Sequence, residues 1–166
     1  MDAGVIVYAK IQSDSALSRW LLSGQEAPAV GRRDWDVGRH ALLRTGLTFD
    51  AIRVREQLVH AAVGTAQPDK VGGALAKILD GPVIHDPAAW YYALVPAGTA
   101  ETWHSPLATA KGLNCWLAVP RVDRIEPIGV HWAVPPESVG RLCEVEAVDA
   151  LLRTGQARRI EQGAHR

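Results

Sequence analysis

The chain has 166 residues, 48% of them hydrophobic, and 18 Lys and Arg balance 18 Asp and Glu to a formal net charge of +0. That length suits one domain able to bury a core without staples, and the neutral balance argues against a protein held to nucleic acid by bulk charge. Cys115 and Cys143 are too isolated for a disulfide framework or a zinc site, no run approaches the ~20 apolar residues of a membrane span, and the N-terminus lacks a signal-peptide pattern, so a reduced, cytoplasmic setting without membrane attachment is expected.

In chain order, "GVIVYAK" (Gly4–Lys10) is short and β-branched and predicts a strand. "SDSALSRWLLSG" offers Ser13 or Asp14 as an N-cap and Gly24 as a stop, the marks of a short helix. "QEAPAVGRRDWDVGRH" is polar, with Pro and Gly, and predicts a loop carrying Trp35. "ALLRTG" (Ala41–Gly46) predicts a helix end, with a basic last turn and a Gly cap. "LTFDAIRV" (Leu47–Val54) alternates and predicts a strand. "REQLVHAAVG" and "QPDKVGGALAKILDG" predict two helices, the second opened by Pro68.

Four runs of β-formers follow: "PVIHD", "WYYALVP", "NCWLAVP" and "GVHWAVPP". Short connections make an antiparallel meander the expected arrangement. The end of the chain predicts a helix that frays into a basic tail. The domain expectation is therefore one α+β domain over 1–155, a mainly antiparallel sheet with helices packed on it, and a disordered tail over 156–166. "ALLRTG" recurs at Ala150–Gly155, but its flanks differ, so reuse of helix-ending chemistry explains it better than duplication.

Three residues are candidates for chemistry. Asp50 sits inside an apparent strand; it is either a solvent-face charge or a metal ligand at a strand end. Its same-face neighbour two residues on is Ile52, which cannot bind a metal, so no carboxylate pair forms there. His85 ends the "PVIHD" strand, and Asp86 before Pro87 is a turn former or a ligand contact. His131 alternates with Trp132, so the two face opposite sides, and the expectation is Trp132 inward with His131 exposed. His60, on a helix, reads as surface or packing. No nucleophile elbow, P-loop or dinucleotide fingerprint is present, and nothing calls for a cofactor.

Six tryptophans are the unusual feature. Trp90, Trp116 and Trp132 take similar places in successive strands and either line a core or form a stacking platform. Trp35 and Trp103, in expected loops, suit a pocket rim. Arg53, Arg121 and Arg124 are the cations available beside such a platform. Alternation puts Trp90 and Tyr92 on one face and Tyr91 on the other.

The run "WYYALVPAGTAETW", then "GLNCWLAVP", then "IGVHWAVPP" resembles the closing half of the bifunctional DNA primase/polymerase N-terminal domain, of the archaeo-eukaryotic primase superfamily. The resemblance covers roughly Leu47 to Pro136, and more specifically the chain looks like short standalone actinobacterial proteins with a reduced version of that domain. The resemblance implies a primase/polymerase-like fold. In the family, two acidic residues two apart bind metal; "FDAIRV" keeps Asp50 but has Ile52. The family's phosphate-binding histidine falls at about Trp90, and its Pro-Pro-Ser turn is replaced by "VPRVD". The resemblance thus implies a catalytically degenerate module without a metal or other cofactor. Its pocket or face would be lined by Trp90, Trp103, Trp132, His85 and Arg53, with Asp86 a further ligand-binding residue. Its partner would be a nucleotide, single-stranded nucleic acid or a protein. The alternatives are a small enzyme using Asp50, His85 or His131 in acid–base chemistry, and a protein-interaction domain with no small-molecule site.

Overall fold

A computed structural model describes residues 2–166. It is an α+β fold in which antiparallel strands pack against helices. The chain opens with helix α1 (Ala3–Leu22), where a strand and a short helix were expected. Asp2 caps it by accepting the Gly4 N–H at 3.2 Å. A β-branched run makes a strand only where another strand completes its ladder, and none lies beside Gly4–Lys10. The helix satisfies the same backbone groups locally. Leu17, Leu21 and Leu22 are buried in the core and Trp20 packs against it, while Val5, Ile6, Val7, Tyr8 and Ile11 stay exposed.

The expected loop holds a second helix, α2 (Pro28–Asp36). Pro28 starts it without losing a needed donor. Trp35 is buried on it, and its indole N–H donates to the Val119 carbonyl at 2.9 Å. Trp35 is therefore core and not a pocket rim. The expected helix end at Ala41 is instead strand β1 (Ala41–Arg44), which pairs antiparallel with β6 (Trp116–Val119) as a separate two-stranded ribbon. Ala41 and Leu43 face inward, and Leu42 and Arg44 face out.

Strand β2 (Asp50–Arg55) leads into α3 (Glu56–Val63) and α4 (Pro68–Leu79), as expected. Strands β3 (Val83–Asp86) and β4 (Trp90–Val95) form a hairpin. A short helix α5 (Thr99–Thr102) and strand β5 (Thr109–Lys111) were not anticipated. Strand β7 (His131–Val134) and helix α6 (Val145–Ala164) complete the chain. The main sheet has the order β5-β2-β4-β3-β7, every pair antiparallel. The meander is thus broken: β6 leaves to pair with β1, and β7 joins β3 in its place.

The sheet is covered on both faces. Ile52, Val54, Val83, Tyr91 and Ala93 face α3, α4 and α6, whose Leu58, Leu75, Leu79, Leu151 and Leu152 complete that core. Ala51, Ile84, Leu94 and Trp132 face the other way, against α1, α2 and the ribbon. Residues 156–166, expected as a disordered tail, continue α6 as far as Ala164. The Arg158 guanidinium donates to the Ala61 and Ala62 carbonyls near the end of α3, which ties that part of α6 down. Among the described residues no helix is long and apolar enough to cross a membrane.

Candidate functional site

Strand pairing brings three of the expected ligand residues onto one face. Arg53 lies opposite Tyr92, Arg55 opposite Trp90, and Asp86 opposite Trp90 on its other side. Directly opposed residues project to the same side of a sheet. The Arg53 guanidinium carbon sits 4.3 Å from the Trp90 ring centre and that of Arg55 sits 5.0 Å away. Such cation–π contacts contribute roughly 0.5–2 kcal/mol each, more as they are desolvated. Arg53 Nε is buried without a hydrogen-bond partner.

Asp86 also lines an open cleft of about 600 Å³ beyond the end of α2. Arg39, His40 and Arg124 bring basic groups to it, and Asp34 an acid. Arg124 is steadied by donating to the Gly38 carbonyl at 3.3 Å. Arg121, a second cation considered from the sequence, is held by Asp123 at 2.6 Å instead. The importance of Arg39 and His40 was not legible: they sit in a polar segment with no periodicity, and only the fold brings them beside Asp86.

The remaining expected ligand residues are not available to that face's ligand surface. Trp132 is 1% exposed, with its indole N–H donating to the Pro120 and Arg121 carbonyls, so its ring is core and offers no stacking surface. Trp103 is half-buried against the α3/α4/α6 core, donates to the Ala108 carbonyl at 3.0 Å, and borders a different recess at the start of α6. The third tryptophan of the expected platform, Trp116, is exposed on the ribbon beneath Arg44.

Asp50 is not a solvent-face charge: it is fully buried. Its Oδ2 accepts the Ala100 N–H at 2.9 Å, which caps the loop into α5, and its Oδ1 has no partner. Burial holds the carboxyl above its ordinary range. The Ala100 and Gly98 amides pull the other way, and Glu101 adds to the rise. Ile52 is in the core, so no second carboxylate stands beside Asp50 on β2.

His85 and His131 do converge, on the opposite face from Trp90. They are register partners, with ring centres 5.1 Å apart edge to face. His131 is 3% exposed, so the expectation of an exposed histidine fails: both faces of β7 are covered, one by α4 and one by the Trp132 side of the core. His85 Nε2–H donates to Glu56 Oε2 at 2.7 Å, and the same oxygen accepts the Ala88 N–H at 2.8 Å. Tyr91 stacks flat on His85 with ring centres 4.0 Å apart, and its hydroxyl lies 2.9 Å from His60 Nε2.

Burial lowers the His85 imidazole pKa, against the pull of Glu56, and the neighbouring His131 and His60 lower it further. Burial alone would raise Glu56. The hydrogen bonds from His85 and Ala88 overcome it and hold the carboxyl below its ordinary value. Burial pushes the Tyr91 phenol far up, with Glu56 adding to the rise. Glu56 and Tyr91 were missed as partners of His85. An acid in the first turn of a helix reads as ordinary dipole chemistry, though an inward tyrosine demanding a partner for its hydroxyl was a usable signal. Among the described residues no group of three or more His, Cys, Asp or Glu is placed to hold a metal ion.

No protein-family model, curated protein or solved structure matches the chain.

Proposed function

We propose that this protein is a catalytically degenerate primase/polymerase-like module that binds a nucleotide, or the nucleotides of a single strand, on the face made by Trp90, Arg53, Arg55 and Asp86. The observation that carries the reading is the indole of Trp90 flanked by two guanidinia, on the strand next to Asp86 and its cleft with Arg39, His40 and Arg124. A base stacks on indole or on a guanidinium plane, and phosphate needs cations within reach. The burial of Asp50 under the Ala100 amide and the core position of Ile52 support the degenerate part of the reading, since two-metal phosphoryl transfer needs carboxylates that can share ions.

The test is a tryptophan-fluorescence titration with a mononucleotide and with a short oligothymidylate at two salt concentrations. Quenching that saturates, weakens with salt and disappears in Trp90→Ala is expected. No quenching by either probe at low salt would overturn the reading.

A second reading, a small enzyme using acid–base chemistry, has its own observation: Glu56, His85 and His131 meet on the other face. Asp50 has no part in it, being on the opposite end of β2 from the residue that leads into Glu56.

A further inference from the structure

Ala88, in the turn of the β3–β4 hairpin, has a φ of 64°, in the left-handed region. Among the described residues, the other non-glycine residues with positive φ are Asp80 and Asn114. Asp and Asn enter that region with help from their own side-chain oxygens. Alanine has no such help, so its neighbours must hold it there.

The turn runs from Asp86 to Ala89 and closes with the Ala89 N–H donating to the Asp86 carbonyl at 3.2 Å. Pro87 fixes its second position, and the third, Ala88, is where a type II turn takes glycine. Glu56 grips this turn twice. Its Oε2 accepts the Ala88 N–H at 2.8 Å, and its backbone N–H donates to the Ala89 carbonyl at 3.1 Å. His85, just before the turn, donates to the same Oε2 at 2.7 Å and fixes where the carboxylate points.

The turn joins Asp86 to Trp90, which are register partners at the mouth of the hairpin. The residue before Glu56 is Arg55, whose guanidinium carbon lies 5.0 Å from the Trp90 ring centre. The start of α3 thus sends Arg55 to the Trp90 face and Glu56 to the turn, on the His85 side of the sheet. A glycine at 88 would adopt the left-handed form unaided, but it would also leave the turn freer to move. An alanine clamped by a carboxylate keeps one geometry.

We propose that Glu56 is a positioning residue for the Trp90 face: its carboxylate, oriented by His85, holds the Asp86–Ala89 turn in its left-handed form and so fixes Asp86 and Trp90 side by side next to Arg55. Its role in binding rests on the nucleotide reading of that face, and Glu56 acts through the turn, not by touching the ligand.

The test records the indole ¹H–¹⁵N resonance of Trp90 in the ¹⁵N-labelled full chain, assigned through Trp90→Phe, together with Tm and the affinity for a short oligothymidylate. Glu56→Ala should displace the Trp90 resonance and weaken the oligothymidylate by up to about tenfold, the size of one charge-assisted hydrogen bond. Glu56→Gln keeps an oxygen for the Ala88 amide and should restore most of the wild-type resonance. Adding Ala88→Gly to Glu56→Ala should bring the resonance back as well, because glycine holds the left-handed form without the clamp. A role of Glu56 in stability alone predicts no such return. Where Glu56→Ala does not fold, Ala88→Gly in the wild-type chain decides: it should raise Tm by relieving the turn and leave the Trp90 resonance in place. A Trp90 resonance unmoved by Glu56→Ala, no return in the double variant, or a lowered Tm in Ala88→Gly would overturn the proposal. Failure of the oligothymidylate to bind the wild-type chain overturns the nucleotide reading instead, and the resonances still decide the clamp.

Discussion

Glu56 and His85 meet at 2.7 Å across the junction of α3 and the β3–β4 hairpin, and the same carboxylate oxygen also holds the Ala88 amide of the turn. One side chain thereby fastens the first turn of a helix to a hairpin 29 residues away. This link has consequences for pH, because both partners titrate away from their ordinary values.

His85 is lowered from 6.5, chiefly by burial. The unfolded chain therefore binds the proton more readily than the folded one. The stability that follows is present above about 6.5 and is lost as pH falls through the lower folded value. Glu56 is lowered from 4.5, against burial, by the His85 and Ala88 hydrogen bonds, so its contribution is present above 4.5 and lost below that. Thermal melts followed by circular dichroism should show Tm falling as pH drops from 7 to 5 and again below 4.5. His85→Gln should flatten the first decline. A wild-type Tm unchanged from pH 7 to 5 would refute the linkage.

Asp50 has the opposite sign. Burial raises its carboxyl above the unfolded value of 3.8, so its ionised form at neutral pH is a cost. Asp50→Asn keeps an oxygen for the Ala100 amide and removes the charge. It is expected to leave stability at pH 7 unchanged or improve it. Asp50→Ala loses the acceptor and should cost about 1–2 kcal/mol, as other lost caps and buried acceptors do. Urea denaturation of both variants separates the outcomes; a large loss in Asp50→Asn would show that the negative charge itself is needed.

On the Trp90 face, cation and aromatic roles are separable. Arg124→Ala removes a cleft cation whose contact within the fold is the Gly38 carbonyl. It should weaken an oligothymidylate and reduce the slope of log affinity against log salt by somewhat under one unit, the effect of about one phosphate contact. Trp90→Ala should instead cost roughly 1–3 kcal/mol of stacking with the slope unchanged. Isothermal titration at three salt concentrations gives both quantities. An unaltered slope in Arg124→Ala would remove that residue from the interface.

Helices α3 and α6 approach closely at Gly155, where an added Cβ would collide with the Leu58 carbonyl oxygen and press on the Leu58 side chain. Gly155→Val should destabilise the fold by roughly 1–3 kcal/mol through overpacking. Gly163, on the same helix, has nothing within 4 Å of an added Cβ. Gly163→Ala should be neutral or stabilising by up to about 1 kcal/mol. Equal effects from the two, read from chemical denaturation midpoints, would contradict this packing.

Much of the fold was legible. The alternation of β2, the Pro68 start of α4 and the β-forming runs of β3, β4, β6 and β7 each report a local preference that agrees with the tertiary environment. Alternation also placed Trp90 and Tyr92 opposite Tyr91. The candidate site was legible only in part. Arg53, Asp86 and Trp90 lie on adjacent strands whose pairing brings them together, whereas Trp103 lies on the other core, and Trp132 faces the Trp90 side but is buried there by elements whose packing local pattern does not reveal.

The hexapeptide "ALLRTG" marks the boundary between the two kinds of information. At Ala41–Gly46 it forms strand β1 and the turn after it; at Ala150–Gly155 it lies inside α6. Its local content is the same in both places: two leucines to bury and no strong breaker before the glycine. At the first site, β6 supplies a ladder and Leu43 faces the α1/α2 side of the core. At the second, α3 supplies a groove close enough to require Gly155, and adjacent Leu151 and Leu152 both find apolar neighbours. The sequence by itself determined that these segments would be ordered and half-apolar, because burial of their leucines is favourable in either form. Only the tertiary structure decided strand or helix, because backbone hydrogen bonds are completed by a neighbouring strand in one case and within the segment in the other.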